Sequence, residues 1–226
     1  MVDKISRARK KELEQPDPFL EALYNGLEKA GVYKKQIIWI AAAVVAVVVI
    51  FAGTVYNIQK AGSNASTLLA QTLEKYSGQE PVEGYEAVKE DFNNLLDQYS
   101  NTSAGRVALV RYAGICYKAS KFDKARELYE KALDQFSDDP VMHNLILVSL
   151  GHASQAGKQY DRAEASFREV LDGETPFLKD EALFNLGILL AAQGKEKKSQ
   201  TFFQTIVSDH KNSLYFPMAE SRLANS

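Results

Sequence analysis

The C-terminal part of the sequence repeats itself at a nearly constant spacing, and this feature limits the possible folds more than any other. Four pairs of related positions lie 36 residues apart: Leu150-Gly151 and Leu186-Gly187, Ala163 and Ser199, Phe167 and Phe203, and Val170 and Ile206. Four coincident offsets are hard to produce by chance. A fixed period of this length is typical of proteins in which similar units stack, each unit packing on its neighbours.

Two further copies lie upstream. The nearer one contains Ala113-Gly114, Phe122, Ala125 and Tyr129, and Gly114 lies 37 residues before Gly151. The farther copy is weaker, with these matching residues: Tyr85, Phe92 and Leu95-Leu96. The repeated pattern therefore extends over about four units.

The repeated residue types suggest how the units pack. Small residues are expected where paired helices approach closely: Gly114, Gly151 and Gly187 in the first helices, and Ala125, Ala163 and Ser199 in the second helices. Aromatic rings are expected to fill the space between neighbouring pairs: Tyr129, Phe167 and Phe203.

Apolar residues recur three and four positions apart within segments of about 12 to 16 residues, which is typical of helices. No strand-like alternation is seen in the sequence. Helix breaks are predicted at these positions: 77–84, 100–105, 120–121, 137–140, 157–159, 172–176, 193–195 and 209–213. The pattern predicts an all-α stack of about four antiparallel helix pairs. The last segment, 214–223, is predicted to be a capping helix, because Pro217 lies in its first turn.

These features resemble the tetratricopeptide-repeat (TPR) family, in which a Leu-Gly pair in the first helix is followed by a small residue early in the second. The resemblance covers residues 67–226 and implies an α-solenoid that binds proteins or peptides. Two features depart from the family pattern. The periods of 36 to 38 residues exceed the usual 34 or so, and the closing proline is missing except at Pro140.

An uncharged apolar segment precedes the repeats. Residues 37–56 are nearly all Ala, Val and Ile, and a helix of this length rises about 30 Å, the thickness of one bilayer core. Trp39 and Tyr56 lie near its two ends, where aromatic rings favour the membrane boundary. A cleaved signal peptide is the alternative, but the charged leader of residues 1–36 is long for one. The segment is therefore predicted to be a single transmembrane helix.

Basic residues predict the orientation of this anchor. Lys29, Lys34 and Lys35 precede it, whereas Lys60 is the only nearby basic residue after it. The positive-inside rule then predicts a cytoplasmic N-terminus and, in a bacterium, an inner-membrane protein with a periplasmic C-terminal domain. A polar tether over residues 57–66 is expected to join the anchor to the TPR-like domain.

The leader itself has two predicted parts. Residues 1–14 are charged and poor in apolar side chains, which is typical of a disordered tail. A short amphipathic helix follows, with its apolar residues on one face: Phe19, Leu20, Leu23, Tyr24 and Leu27. This face is expected either to lie among lipid headgroups or to dock against a protein partner.

The combination of a short leader, one span and a TPR-like periplasmic domain resembles the YfgM-like ancillary subunits of the bacterial SecYEG translocon. That resemblance implies partners among envelope proteins, the Sec translocon and periplasmic chaperones. The same architecture also suits a structural organiser in cell division or cell-wall synthesis.

Catalytic motifs are missing from the sequence. His143, His152 and His210 form no metal-binding spacing, and no phosphate-binding glycine loop or nucleophile motif occurs. The lone Cys116 lies in an apolar helical pattern and is expected to be a buried small residue. The net charge of -2 gives no nucleic-acid signature. A non-enzymatic protein without cofactors or metals is therefore expected.

A concave surface lined by the first helices of the repeats is the expected binding site. The candidate partner-binding residues occupy positions outside the predicted core: Arg106, Arg111, Tyr112 and Lys118 in one repeat, Asn144, Ser149, His152 and Gln155 in the next, and Asn185 in the third.

Overall fold

The computed structural model describes residues 18–224, which form ten helices joined by short turns and loops and contain no strands. The predicted disordered tail of residues 1–14 lies outside the described residues. Contacts divide the chain into two compact units, Met1–Ile58 and Gln59–Ser226. This division falls close to the predicted boundary between anchor and repeats.

The first unit contains α1 (Pro18–Val32) and the N-terminal part of α2 (Lys34–Tyr76). The amphipathic helix predicted from the leader corresponds to α1, whose apolar residues are exposed. The apolar residues of α2 are exposed too, for example Ile50 and Phe51, each 69% exposed. By length and composition, α2 is apolar enough to cross a membrane.

The predicted tether, residues 57–66, has a helical backbone because α2 continues without a break to Tyr76. The segment contains no proline, and polar side chains extend the helical pattern. Ser66 Oγ donates to Gly62 O at 2.9 Å, and Thr67 Oγ1 donates to Ser63 O at 3.1 Å. Polar composition indicated a linker, but it does not by itself oppose helix formation.

The second unit is the helical stack. It contains the end of α2 and eight further helices: α3 (Pro81–Tyr99), α4 (Ser103–Lys118), α5 (Phe122–Gln135), α6 (Pro140–Ala156), α7 (Tyr160–Asp172), α8 (Lys179–Ala192), α9 (Glu196–Asp209) and α10 (Phe216–Ala224). Three pairs pack closely, α4 with α5, α6 with α7, and α8 with α9. The end of α2 pairs more loosely with α3, through the Lys75–Asp91 ion pair at 2.9 Å. The capping helix α10 packs on α9. The predicted all-α stack is thus confirmed.

The turn inside each close pair has the same backbone geometry. Ser120, Lys158 and Gly194 adopt the left-handed conformation with φ of 60°, 61° and 71°. In each turn, the next amide donates to the carbonyl five residues earlier, at 2.8 to 2.9 Å. This bonding closes the helix end. Only Gly194 is a glycine, which is why the sequence alone did not reveal these turns as equivalent.

The turn residues also fix the register between repeats. Ser120 and Lys158 lie 38 residues apart, and Lys158 and Gly194 lie 36 apart. With the same offsets, Gly151 corresponds to Gly187 and to Ala113, not to Gly114. Ala113 is fully buried, whereas Gly114 is half-buried. The close-approach position predicted at Gly114 was therefore wrong by one residue.

The aromatic rings pack as predicted in the two later pairs. An ideal Cβ on Gly151 would lie 2.5 Å from Phe167 Cε1, and one on Gly187 would lie 2.5 Å from Phe203 Cε1. Such distances leave no room for a side chain. Ser199, at the predicted crossing point, donates from Oγ to Gly187 O at 2.8 Å.

Candidate partner-binding face

The first helices of successive close pairs form one layer. Backbone contacts join α4 to α6 and α6 to α8, and each second helix packs against this layer from the other side. We call the solvent-facing surface of α4, α6 and α8 the inner face. It is the surface that the sequence predicted to bind partners.

Solvent exposure repeats along this layer with the offsets of the turns, 38 and then 36 residues. Four rows of half-buried or exposed positions cross the three helices: Val107, Leu145 and Glu181; Arg111, Ser149 and Asn185; Gly114, His152 and Ile188; and Lys118, Ala156 and Ala192. The inner face is therefore a continuous surface of equivalent positions.

Several predicted binding residues lie on this face. Arg111, Ser149 and Asn185 share one row, and Lys118 and His152 lie in two others. Ser149 Oγ donates to Leu145 O at 2.8 Å, and Asn185 Nδ2 donates to Glu181 O at 3.0 Å, each within its own helix. These hydrogen bonds leave the oxygen lone pairs of both side chains available to accept from a ligand. Gln155, which corresponds to Tyr117, lies at the edge of the face and is half-buried.

Three other predicted residues are used in packing. Tyr112 is 2% exposed, and its ring stacks on Phe92 with centroids 4.8 Å apart. Burial raises the pKa of Tyr112. Asn144 is 3% exposed, and its Nδ2 donates to Phe177 O at 2.8 Å, which holds the loop before α8. The prediction that Tyr112 and Asn144 are surface positions was wrong, because both side chains turn toward the core.

Arg106 is engaged at the end of α5. Its Nη1 donates to Gln135 O at 3.1 Å, and its guanidinium lies over the Phe136 ring, 5.2 Å from the centroid. A cation at a helix C-terminus is favoured by the helix dipole. The structure therefore gives Arg106 a role in joining α4 to α5.

The sequence missed the apolar part of the inner face. Val107 and Leu145 are each 39% exposed and occupy one row, and Tyr117 is 37% exposed beside Lys118. Apolar residues are ordinarily assigned to the core of an amphipathic helix. The repeat offset was the available signal, since it relates Val107 and Leu145 to the charged Glu181.

Tyr129 reaches the inner face from behind, between α4 and α6. Its ring is buried, and its hydroxyl oxygen would lie 3.6 Å from an ideal Cβ on Gly114. Burial raises the pKa of Tyr129. Phe167 and Phe203 occupy the equivalent positions, so Tyr129 is the only one of these three rings that carries a hydroxyl.

A contact across repeats joins α6 to α8. His152 Nε2 lies 3.4 Å from Glu181 Oε1, and the imidazole ring also meets the edge of Phe167, 5.5 Å from its centroid. This contact fixes His152 against its neighbours on the inner face.

Two features of the described residues bear on metal-dependent and thiol-based catalysis. Within residues 18–224, no three His, Cys, Asp or Glu side chains come together as a metal site. Cys116 is fully buried, and burial raises the pKa of its thiol to about 12. A thiol of this kind remains protonated at neutral pH and is a poor nucleophile.

Another concavity lies between the second helices α3 and α5, behind the inner face. Leu96, Leu109 and Leu128 lie in it, with Asp97 and Lys131 among its polar residues. Lys131 is already paired with Glu127 at 2.7 Å. The charge of Lys131 is therefore already balanced within α5.

Helix pairs stacked with one layer of first helices and another of second helices define the α-solenoid class of repeat proteins. The family comparison agrees with this fold: a tetratricopeptide repeat-like domain matches residues 32–225. The chain belongs to this family. A comparison with curated proteins found no significant match.

Proposed function

We propose that this protein is a membrane-anchored scaffold that binds segments of other proteins on the inner face of its TPR-like stack. The observation that carries the proposal is the row formed by Arg111, Ser149 and Asn185. These polar side chains occupy equivalent positions in three helices and point away from the core. TPR-like stacks characteristically offer such a surface to peptides or helices. The protein acts by binding and not by catalysis.

The apolar helix supports membrane anchoring. Residues 37–56 form part of α2, and no residue of its most apolar stretch is buried within the protein. Leaving a large aliphatic side chain in water costs about 1.5 to 3 kcal/mol relative to burying it. A run of such residues without protein neighbours is best accommodated by lipid.

The location and partners in this proposal rest on the flanking charges and on the resemblance to YfgM-like translocon subunits. The stack lies on the periplasmic side of a bacterial inner membrane, and its partners are envelope proteins or chaperones near the secretion or assembly machinery. The alternative is a structural organiser in cell division or cell-wall synthesis.

Site-specific photocrosslinking in cells tests the proposal. A photoreactive amino acid placed at Ser149 or Asn185 should give crosslinks to other proteins, while one at Thr201 or Gln204 on α9 serves as the control outside the inner face. Translocon subunits or chaperones among the products support the leading role. Cell-division proteins or wall synthases support the alternative. Crosslinks confined to the α9 positions contradict a scaffold that works through the inner face.

A further inference from the structure

Charge is distributed unevenly along the inner layer. Helix α4 contains Arg106, Arg111 and Lys118 and no acidic residue. Helix α6 contains no Asp, Glu, Lys or Arg at all. In α8, all charged residues lie in the first turn. The inner layer is therefore basic at α4 and without Asp, Glu, Lys or Arg at α6. At α8 it is charged only near the N-terminus of the helix.

The carboxylates of α8 already have partners. Asp180 Oδ2 accepts from Ser213 Oγ at 2.6 Å, and Glu181 lies 3.4 Å from His152. Both acidic residues also lie at the N-terminus of their helix, where the helix dipole favours negative charge. Asp180 and Glu181 therefore already have interaction partners within the protein.

The cations of α4 are not satisfied in the same way. Arg106 is engaged with the end of α5, but Arg111 and Lys118 are exposed and make no ion pair or hydrogen bond with the described residues. Exposed charges are solvated when the protein is alone. They are nevertheless the groups through which a partner of opposite charge gains affinity and orientation.

The spacing of these two cations limits the shape of the ligand. Arg111 and Lys118 are seven residues apart, which is about two helical turns or about 10 Å along the axis. In an extended polyproline II segment, every third residue lies on the same face, about 9 Å apart. Two carboxylates three residues apart on such a segment therefore have nearly the same spacing as the two cations.

The neighbouring residues favour a polypeptide ligand. Val107 and Tyr117 present partly exposed apolar surface beside the cations, and Gly114 lies between Arg111 and Lys118 on the same face with no side chain. Nucleic acids are bound by more extended basic surfaces. A protein segment can supply apolar side chains together with carboxylates.

We propose that the α4 end of the inner face binds an acidic, extended segment of a partner protein through Arg111 and Lys118. This inference rests on the proposed scaffold function and specifies the chemistry of the partner. The apolar surface at Val107, Tyr117 and Leu145 contacts side chains that flank the carboxylates.

The test uses the full-length chain in an uncharged detergent and a synthetic peptide with three Glu-Pro-Pro repeats, carrying an uncharged fluorophore. Fluorescence anisotropy should show saturable binding that weakens with salt. The matched peptides with Gln-Pro-Pro or Lys-Pro-Pro repeats should bind at least about tenfold more weakly, a difference of about 1.4 kcal/mol.

Two charge-reversal variants locate the site. Arg111→Glu combined with Lys118→Glu should reduce affinity for the glutamate peptide by at least about tenfold. Lys197→Glu combined with Lys198→Glu on α9 changes net charge equally and should leave affinity within about twofold. Far-UV circular dichroism should show both variants folded.

Three results would overturn this inference: no binding of the glutamate peptide, equal binding of the glutamine peptide, or equal loss in both variants. Binding of the protein to anionic lipid vesicles through Arg111 and Lys118, without binding of the glutamate peptide, would also contradict this inference. None of these results bears on crosslinks from Ser149 or Asn185, so the scaffold proposal is judged separately.

Discussion

At the scale of single residues, glycines with similar sequence surroundings have different roles. Gly151 and Gly187 lie directly against the rings of Phe167 and Phe203, whereas the nearest side-chain atom to an ideal Cβ on Gly114 is the Tyr129 hydroxyl at 3.6 Å. Ordinary van der Waals contact is possible at that distance. The first two glycines are required by packing, and the third leaves space on the inner face.

This difference predicts substitutions of opposite sign. Gly151→Ala should lower the free energy of unfolding by about 1 to 3 kcal/mol, because the buried Phe167 ring cannot move away without disturbing its neighbours. Leu at this position should be at least as harmful. Gly114→Ala should instead raise the free energy of unfolding by about 0.5 to 1 kcal/mol, since alanine favours the helix more than glycine does.

Urea denaturation of the full-length chain in an uncharged detergent, followed by circular dichroism, measures the free energy of unfolding of both variants. Equal stability changes at Gly114 and Gly151 would contradict the assigned register. A Gly151→Ala variant as stable as the unchanged chain would remove the evidence for close contact between α6 and α7.

At the scale of helices, caps explain why several breaks were predictable. Thr102 Oγ1 accepts from Gly105 N at 3.0 Å, and Asp139 Oδ1 accepts from Val141 N at 3.1 Å and Met142 N at 3.0 Å. Pro81 and Pro140 begin their helices, where the missing amide hydrogen has no cost. Such signals act within a few residues and can be read without the fold.

The cap of α6 gives a quantitative prediction. Asp139→Ala should destabilise the stack by about 1 kcal/mol, because two amide groups lose their acceptor. The adjacent Asp138 is exposed and caps no helix. Asp138→Ala should therefore change stability by less than about 0.5 kcal/mol. The same urea experiment compares the two, and equal effects would show that α6 does not depend on this cap.

At the scale of the whole molecule, the stack and the apolar helix are separate compact units joined through α2. If residues 37–56 span a membrane with the N-terminus in the cytoplasm, the stack lies on the opposite side. The unequal distribution of Lys34, Lys35 and Lys60 around the apolar segment supports that orientation.

A reporter fusion tests this topology. Alkaline phosphatase needs the disulfides that form outside the bacterial cytoplasm. A fusion after Lys60 should therefore be active, while a fusion after Lys35, before the apolar segment, should be inactive. Activity of only the Lys35 fusion would reverse the orientation, and equal activity in both intact fusions would argue against a single retained span.

The sequence by itself determined the helical class, the repeat period, most helix boundaries and the apolar segment, because periodicity, capping residues and prolines act locally. It also identified the row of Arg111, Ser149 and Asn185 as candidate positions. It could not determine which way every side chain faces. Successive helical residues differ by about 100° around the axis, so an error of one residue turns a surface position toward the core.

Only the tertiary structure decided that Ala113 is fully buried where Gly114 is half-buried, and that Tyr112 and Asn144 are buried. It also showed that Val107 and Leu145, although apolar, lie exposed on the inner face. In each case the outcome depends on where the neighbouring segment packs. For Tyr112 that neighbour is α3, through Phe92, and for Asn144 it is the loop before α8, through Phe177. The helices of the close pairs are joined by left-handed turns at Ser120 and Lys158, neither of which carries the glycine that usually marks such a turn.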